Sequence, residues 1–237
     1  MIYKMKIAGF QKTSLIDYPK KIACTIFIHG CNFRCGFCHN PELVLHEPEV
    51  EFSKDEILKF LEKRQGQLEG VCITGGEPLL SLDLDFLKKI KELGYLIKID
   101  TNGSFPEKLK EIIEEKLVDY IAMDVKSSSE NYKKVSNSNI DLNKIEESIK
   151  LISLLENYEF RTTILEEIHD LEEIKKMAIW LNEIIGGKPK KFCLQGFRNQ
   201  GKFIDENFKN KKDTSKEFLE NLKNEIKDCF EEIEIRF

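Results

Sequence analysis

With 237 residues and 41% apolar side chains, the chain is long enough to bury a substantial core and has no apolar run of bilayer length. Its 37 Lys and Arg against 42 Asp and Glu give a formal charge of −5 with both signs interleaved, which argues for a solvated surface and against a nucleic-acid footprint. Seven cysteines in a chain without a leader-like N-terminus set the expectation of a reducing, cytoplasmic setting where disulfides are not formed.

After an extended N-terminal stretch, Ile22 to Ile28 reads as a strand that runs into the loop Cys31-Asn32-Phe33-Arg34-Cys35-Gly36-Phe37-Cys38-His39-Asn40. Ser53 is placed as the N-cap of a helix reaching about Arg64. A strand over Val71 to Thr74 follows, then a helix from Asp83 or Leu84 to Leu93, closed by Gly94. Further strands are predicted at Tyr95 to Asp100, Tyr120 to Asp124, Tyr158 to Leu165 and Lys191 to Gln195. Helices are predicted between them near Glu107 to Lys116, Leu142 to Glu156 and Leu171 to Ile185. An amphipathic helix at about Ser215 to Phe230 and the run Ile233-Glu234-Ile235 close the chain. Strands alternating with helices call for a parallel sheet with right-handed crossovers. About six such units are too few for an eight-stranded ring, so the expected fold is α/β, a partial, open parallel β/α barrel spanning residues 1–237 as one domain. Ser127-Ser128-Ser129 and Asn137-Ser138-Asn139 suggest a mobile loop over the site.

In parallel β/α folds, chemistry collects at the carboxyl ends of the strands. Four successive ends here carry unusual residues. The first is the cysteine loop, where Cys31, Cys35 and Cys38 present three thiolates to one centre and leave it one ligand short. Zinc held by Cys31, Cys35, Cys38 and His39, or a chance group of buried thiols, are the other readings. The second is Gly75-Gly76-Glu77-Pro78, which reads either as an ordinary turn or as backbone kept bare for a ligand. On the ligand reading, Gly76→Val is expected to weaken ligand binding and spare the metal centre. The third, Asp100-Thr101-Asn102-Gly103, would be a hairpin if a helix did not follow it. The fourth is Asp124-Val125-Lys126, where alternation puts Asp124 and Lys126 on one side of the strand, either as a structural ion pair or as a ligand site. Arg161 is read as an ion-pair residue, and Cys24, Cys72, Cys193 and Cys229 as small core residues. His46 and His169 sit among charged residues, are expected to be exposed, and are given no role.

Cys-x3-Cys-x2-Cys with Phe37 before the last cysteine resembles the signature of the radical S-adenosylmethionine superfamily. Phe37-Cys38-His39-Asn40 further resembles the glycyl-radical enzyme activating enzymes, those of pyruvate formate-lyase and of anaerobic ribonucleotide reductase. The resemblance implies a 4Fe-4S cluster on Cys31, Cys35 and Cys38, with S-adenosylmethionine bound at Phe37, Cys38, His39, Gly75, Gly76, Glu77, Asn102, Asp124, Val125 and Lys126. It also implies a monovalent-cation site at Asp100, Thr101 and Asp124. It implies a glycyl-radical enzyme as protein substrate, a flavodoxin or ferredoxin as electron donor, and no nucleic-acid or membrane partner. Gln195-Gly196-Phe197-Arg198 lacks the histidine of the pyruvate formate-lyase branch, which leans the reading toward the reductase branch. A radical enzyme acting on a small molecule, such as a modified-nucleobase precursor, and a non-catalytic zinc module are the rival functions.

Overall fold

The computed structural model describes residues 4–237, which group into two compact units. The first comprises the described residues up to Asn32, Asn40–Thr101 and Glu107–Ile121. In chain order it holds β1 (Ile7–Ser14), β2 (Ala23–Ile28), α1 (Pro41–Leu45), α2 (Lys54–Lys63), β3 (Gly70–Gly75), α3 (Leu84–Glu92) and β4 (Leu96–Thr101). Nearly all of α4 (Pro106–Glu114) and the start of β5 (Tyr120–Asp124) follow. β1 pairs antiparallel with β2, whereas β2, β3 and β4 pair in parallel. The register sets Ile28 opposite Gly75 and Ile73 opposite Ile99, so three strands end level at one carboxyl edge. Local signals fix the helices. Ser53 and Glu56 form a full capping box at the start of α2, and Asp83 caps α3. Behind the strands, Ile26, Ile73, Leu87, Ile90 and Ile97 are fully buried.

The second unit comprises Phe33–His39, Asn102–Pro106 and Ala122–Phe237. Beyond the end of β5 it holds α5 (Tyr132–Ser136), α6 (Leu142–Ser153), β6 (Tyr158–Ile164), α7 (Leu171–Ile185), β7 (Lys191–Gly196), α8 (Lys216–Ile226) and β8 (Glu232–Arg236). β6, β7 and β8 pair in parallel. The α/β class is the one expected, and within each unit the parallel pairing, of β2 to β4 and of β6 to β8, is as expected. Two differences stand out. The run at Ile233 is a full strand beside β7, and the serine-rich segment after β5 is anchored, with Ser127 and Ser128 buried and α5 formed within it. Phe160, Phe192, Ile149, Ile174 and Leu222 make the core here, and the Phe192 and Phe230 rings stack at 4.5 Å.

β8 is tied in by charge as well as by its ladder. The Arg236 guanidinium donates to both oxygens of the fully buried Glu159 carboxylate at 2.6 and 2.7 Å, and also to Glu234 at 2.9 Å. Removing one partner from a buried, bidentate pair leaves desolvated charge behind. Arg236→Leu is therefore expected to lower unfolding stability by about 3 kcal/mol in urea titrations, whereas the exposed pair Lys110–Glu114 should contribute a few tenths at most.

Candidate functional site

In the first unit, Cys31 lies just beyond the end of β2, beside the Gly-Gly turn that ends β3. The turn is built against backbone. Gly76 N donates to Ile28 O at 2.9 Å, and Glu77 N to Gly30 O at 2.7 Å. Gly75 has a φ of +126°, and a Cβ there would lie 2.3 Å from Ile28 O. A Cβ on Gly76 would lie 2.1 Å from Gly30 O and 3.2 Å from the Cβ of Cys31. Both glycines are thus required by the neighbouring strand end, whose backbone occupies the place a side chain would take. This close approach requires glycine at both positions whether or not a ligand also meets their backbone.

Glu77 braces the same edge. Its fully buried carboxylate accepts from Leu79 N at 3.0 Å and from Thr101 Oγ1 at 2.8 Å, tying the end of β3 to the end of β4. Asp100 forms an ion pair with Lys98, a buried lysine whose ammonium also lies 3.7 Å from Cys72 Sγ. Lys98 and Asp100 stand two residues apart on one strand, the same spacing as Asp124 and Lys126. That pattern could have revealed the pair from sequence.

In the second unit, Arg34 to His39 form a tight turn in which Cys38 N donates to Cys35 O at 3.1 Å. Cys35 is buried, and its Sγ lies 3.6 Å from Ser136 O at the end of α5. Burial pushes its thiol up, and the Lys126 ammonium works in the opposite direction. Gly36 lies against the loop that follows β7. Asp205 N donates to Gly36 O at 3.0 Å, and a Cβ on Gly36 would lie 2.6 Å from the Phe208 ring. Phe37 is buried with its ring 6.1 Å from that of Phe208. His39 stacks on Phe197 at 5.7 Å and bonds Gln200 O through Nδ1 at 3.2 Å.

Lys126 Nζ lies 3.0 Å from Asp124 Oδ2, and Arg161 Nε donates to Asp124 Oδ1. Burial opposes the charge on Asp124, but Arg161 and Lys126 outweigh it and hold the carboxyl far below the ordinary range. Burial likewise opposes charge on Lys126, and Asp124 together with Cys35 more than restores it. Val125 is a core residue whose N donates to Arg161 O at 2.9 Å. Asn102 uses its own Oδ1 to accept from Ser104 N at 3.0 Å, which shapes the turn into α4.

His169 is fully buried, contrary to expectation, with Nε2 2.9 Å from Lys126 O and Nδ1 accepting from Leu165 N at 3.1 Å. Its Asp neighbour suggests exposure; the signal missed is the turn at Leu165, which folds the ring back four residues. His46 is exposed. Cys24, Cys72 and Cys193 are buried core residues as expected, and Cys229 is half-buried.

Among the described residues no group of three or more His, Cys, Asp or Glu side chains stands as a ready site for a single metal ion. The fit to a cluster is one of donor chemistry. Three thiols within eight residues are soft donors of the kind iron–sulfur clusters take, and the Lys126 charge offsets part of the burial that raises the Cys35 thiol. The fit to a bound monovalent cation is poor. In the first unit Asp100 already holds Lys98, and in the second Asp124 holds both Lys126 and Arg161.

The model of the Radical SAM superfamily matches residues 25–181. A protein of Methanocaldococcus jannaschii named as a glycyl-radical enzyme activating enzyme is 36% identical over 182 residues, 74% of this chain and 75% of that protein. A pyruvate formate-lyase-activating enzyme of Clostridium pasteurianum is 33% identical over 127 residues, covering 51% of this chain and 52% of that enzyme. Among solved structures, Streptococcus suis SuiB bound to S-adenosylmethionine superposes with a TM-score of 0.65 at 14% identity, over 87% of this chain and 47% of SuiB. That likeness is one of fold. Among the described residues no helix is long and apolar enough to cross a membrane.

Proposed function

Because the chain belongs to the radical SAM superfamily and, within it, to the glycyl-radical enzyme activating enzymes, we propose that it reductively cleaves S-adenosylmethionine at a 4Fe-4S cluster and abstracts a hydrogen atom from one glycine of a partner enzyme. The observation that carries this reading is the Cys31, Cys35, Cys38 loop in a chain 36% identical over 182 residues to a protein named as such an activating enzyme. Anaerobic ribonucleotide reductase is the proposed partner, supported by the absence of a histidine at Gln195-Gly196-Phe197-Arg198, and a flavodoxin or ferredoxin is the proposed electron donor. When bound, the cluster supplies one electron to the sulfonium of S-adenosylmethionine.

The protein's own residues supply thiolates, charge and a fixed frame. Cys31, Cys35 and Cys38 are the proposed cluster ligands. Lys126, kept charged by Asp124, exerts an electrostatic pull toward the charged form of the Cys35 thiol. Glu77 and Thr101 brace the strand ends beside Cys31. Phe37, His39, Asn102 and the backbone around Gly75 and Val125 remain proposed contacts for S-adenosylmethionine. A bound monovalent cation drops out of this reading, since Lys98, Lys126 and Arg161 already supply the positive charge at Asp100 and Asp124.

The test mixes reduced, reconstituted protein and S-adenosylmethionine with the glycyl-radical enzymes of the same organism, its anaerobic ribonucleotide reductase first. A doublet electron paramagnetic resonance signal is expected on the partner, and it should collapse toward a singlet when the partner's glycines carry deuterium at Cα. If 5′-deoxyadenosine forms readily and no partner acquires the signal, a small-molecule substrate replaces the protein one.

A further inference from the structure

The segment between β5 and α6, residues 125–141, contains Lys126 near its start and α5 further on, and the end of α5 is what grips the cysteine loop within the second unit. Ser136 O accepts from Arg34 N at 3.1 Å and faces Cys35 Sγ at 3.6 Å, while Asn137 Nδ2 donates to Arg34 O at 3.2 Å. Asn137 can turn there because it caps α5 in the left-handed region, at a φ of +46°.

Two buried polar residues from outside the segment hold it. Glu173, on the first turn of α7, accepts from Ser127 Oγ, from Ser128 N at 2.7 Å and from Asn131 Nδ2 at 2.7 Å. His169 accepts from Leu165 N through Nδ1, so its proton sits on Nε2 and donates to Lys126 O at 2.9 Å. α7 needs neither contact to begin, because Asp170 already caps it through Glu173 N at 2.9 Å. Burying a carboxylate and an imidazole is costly unless every bond is met, and here the bonds are spent on one short stretch, residues 126–131. Burial would raise the Glu173 carboxyl, yet its three donors outweigh this and keep it ionised; burial keeps His169 neutral.

We infer that Glu173 and His169 are positioning residues for the cysteine loop, fixing Lys126 directly and Cys35 through α5. This rests on the reading of Cys35 as a cluster ligand only where it touches cofactor binding; the positioning itself is a property of the cluster-free chain.

The test uses the full chain and three variants: Glu173→Gln, His169→Asn and His169→Gln. Asparagine can still accept from Leu165 N but falls short of the Lys126 carbonyl, whereas glutamine retains a donor at the Nε2 position. In cluster-free protein, alkylation of Cys35 is followed by peptide mass spectrometry, with the buried Cys24 as the reference for global opening. Glu173→Gln and His169→Asn should each speed Cys35 alkylation about tenfold, the worth of one net hydrogen bond, with Cys24 unchanged and His169→Gln close to wild type. After reconstitution the same two variants should bind S-adenosylmethionine about tenfold more weakly. An unchanged Cys35 rate, an equal rise at Cys24, or a His169→Gln protein as affected as His169→Asn overturns the inference. If Cys35 responds as expected but wild-type protein assembles no iron–sulfur cluster, the proposed function fails and the positioning role stands.

Discussion

Cys35→Ala protein, reconstituted anaerobically with iron and sulfide, is expected to hold no stable 4Fe-4S cluster and to release no 5′-deoxyadenosine, and Cys31→Ala and Cys38→Ala should match it. The reason is the ligand count. Three thiolates leave one iron of a cubane open for a substrate, and two leave a second iron exposed to solvent and to loss. Cys35 is the most telling position, because its sulfur is buried against the end of α5 and feels the Lys126 charge. The other cysteines provide the contrast. Cys24 and Cys193 are fully buried in strands, and burial pushes both thiols up to about 12, so they sit as neutral core groups. Cys24→Ala should retain full iron and sulfide while losing about 1 kcal/mol of stability to the cavity. A brown Cys35→Ala protein with wild-type iron content would reject the ligand assignment. A colourless wild-type protein with one zinc per chain would reject the cluster altogether.

Much of the frame was legible before the structure because local chemistry and tertiary packing agree. Ser53 with Glu56, Asp83 before Leu84 and the run from Leu171 to Ile185 each carry their own start signal and a clear helical face, and the structure places helices there within a few residues. α1 and α5 were missed for a physical reason: five residues make little more than one turn, too short to show a period, and such helices exist only through what they pack against. The serine- and asparagine-rich segment after β5 shows the same limit. Its composition reads as a mobile loop, but the donors it displays are consumed by Glu173, which lies some 45 residues further on and gives no local hint of the pairing. Charge pairs were half legible. Alternation put Asp124 beside Lys126, as observed, and the same rule applied one strand earlier would have paired Lys98 with Asp100. Arg161, read as an ion-pair residue, does pair, and its partner is Asp124 itself.

Gly76→Ala is expected to damage the cysteine loop and not merely a ligand pocket. The added Cβ would sit 2.1 Å from Gly30 O and 2.6 Å from Gly30 C, both backbone atoms, so no rotamer change can relieve the collision. The Gly76 side cannot easily yield. Its own N–H is bonded to Ile28 O, and the next residue is held by a buried carboxylate that accepts from Leu79 N and Thr101 Oγ1. The displaced part must be the chain from Ile28 to Cys31, which carries the first proposed cluster ligand. Overpacking of this kind costs about 2–3 kcal/mol. Gly76→Ala should therefore lower both the unfolding midpoint and the iron content after reconstitution, and Gly76→Val should do so more severely. Gly187→Ala is the matched control, since an added Cβ there meets nothing within 4 Å and should leave both quantities unchanged. If Gly76→Ala keeps wild-type stability and iron content and loses only affinity for S-adenosylmethionine, the turn is a ligand cradle after all, and the backbone contact with Gly30 is not what demands the glycine.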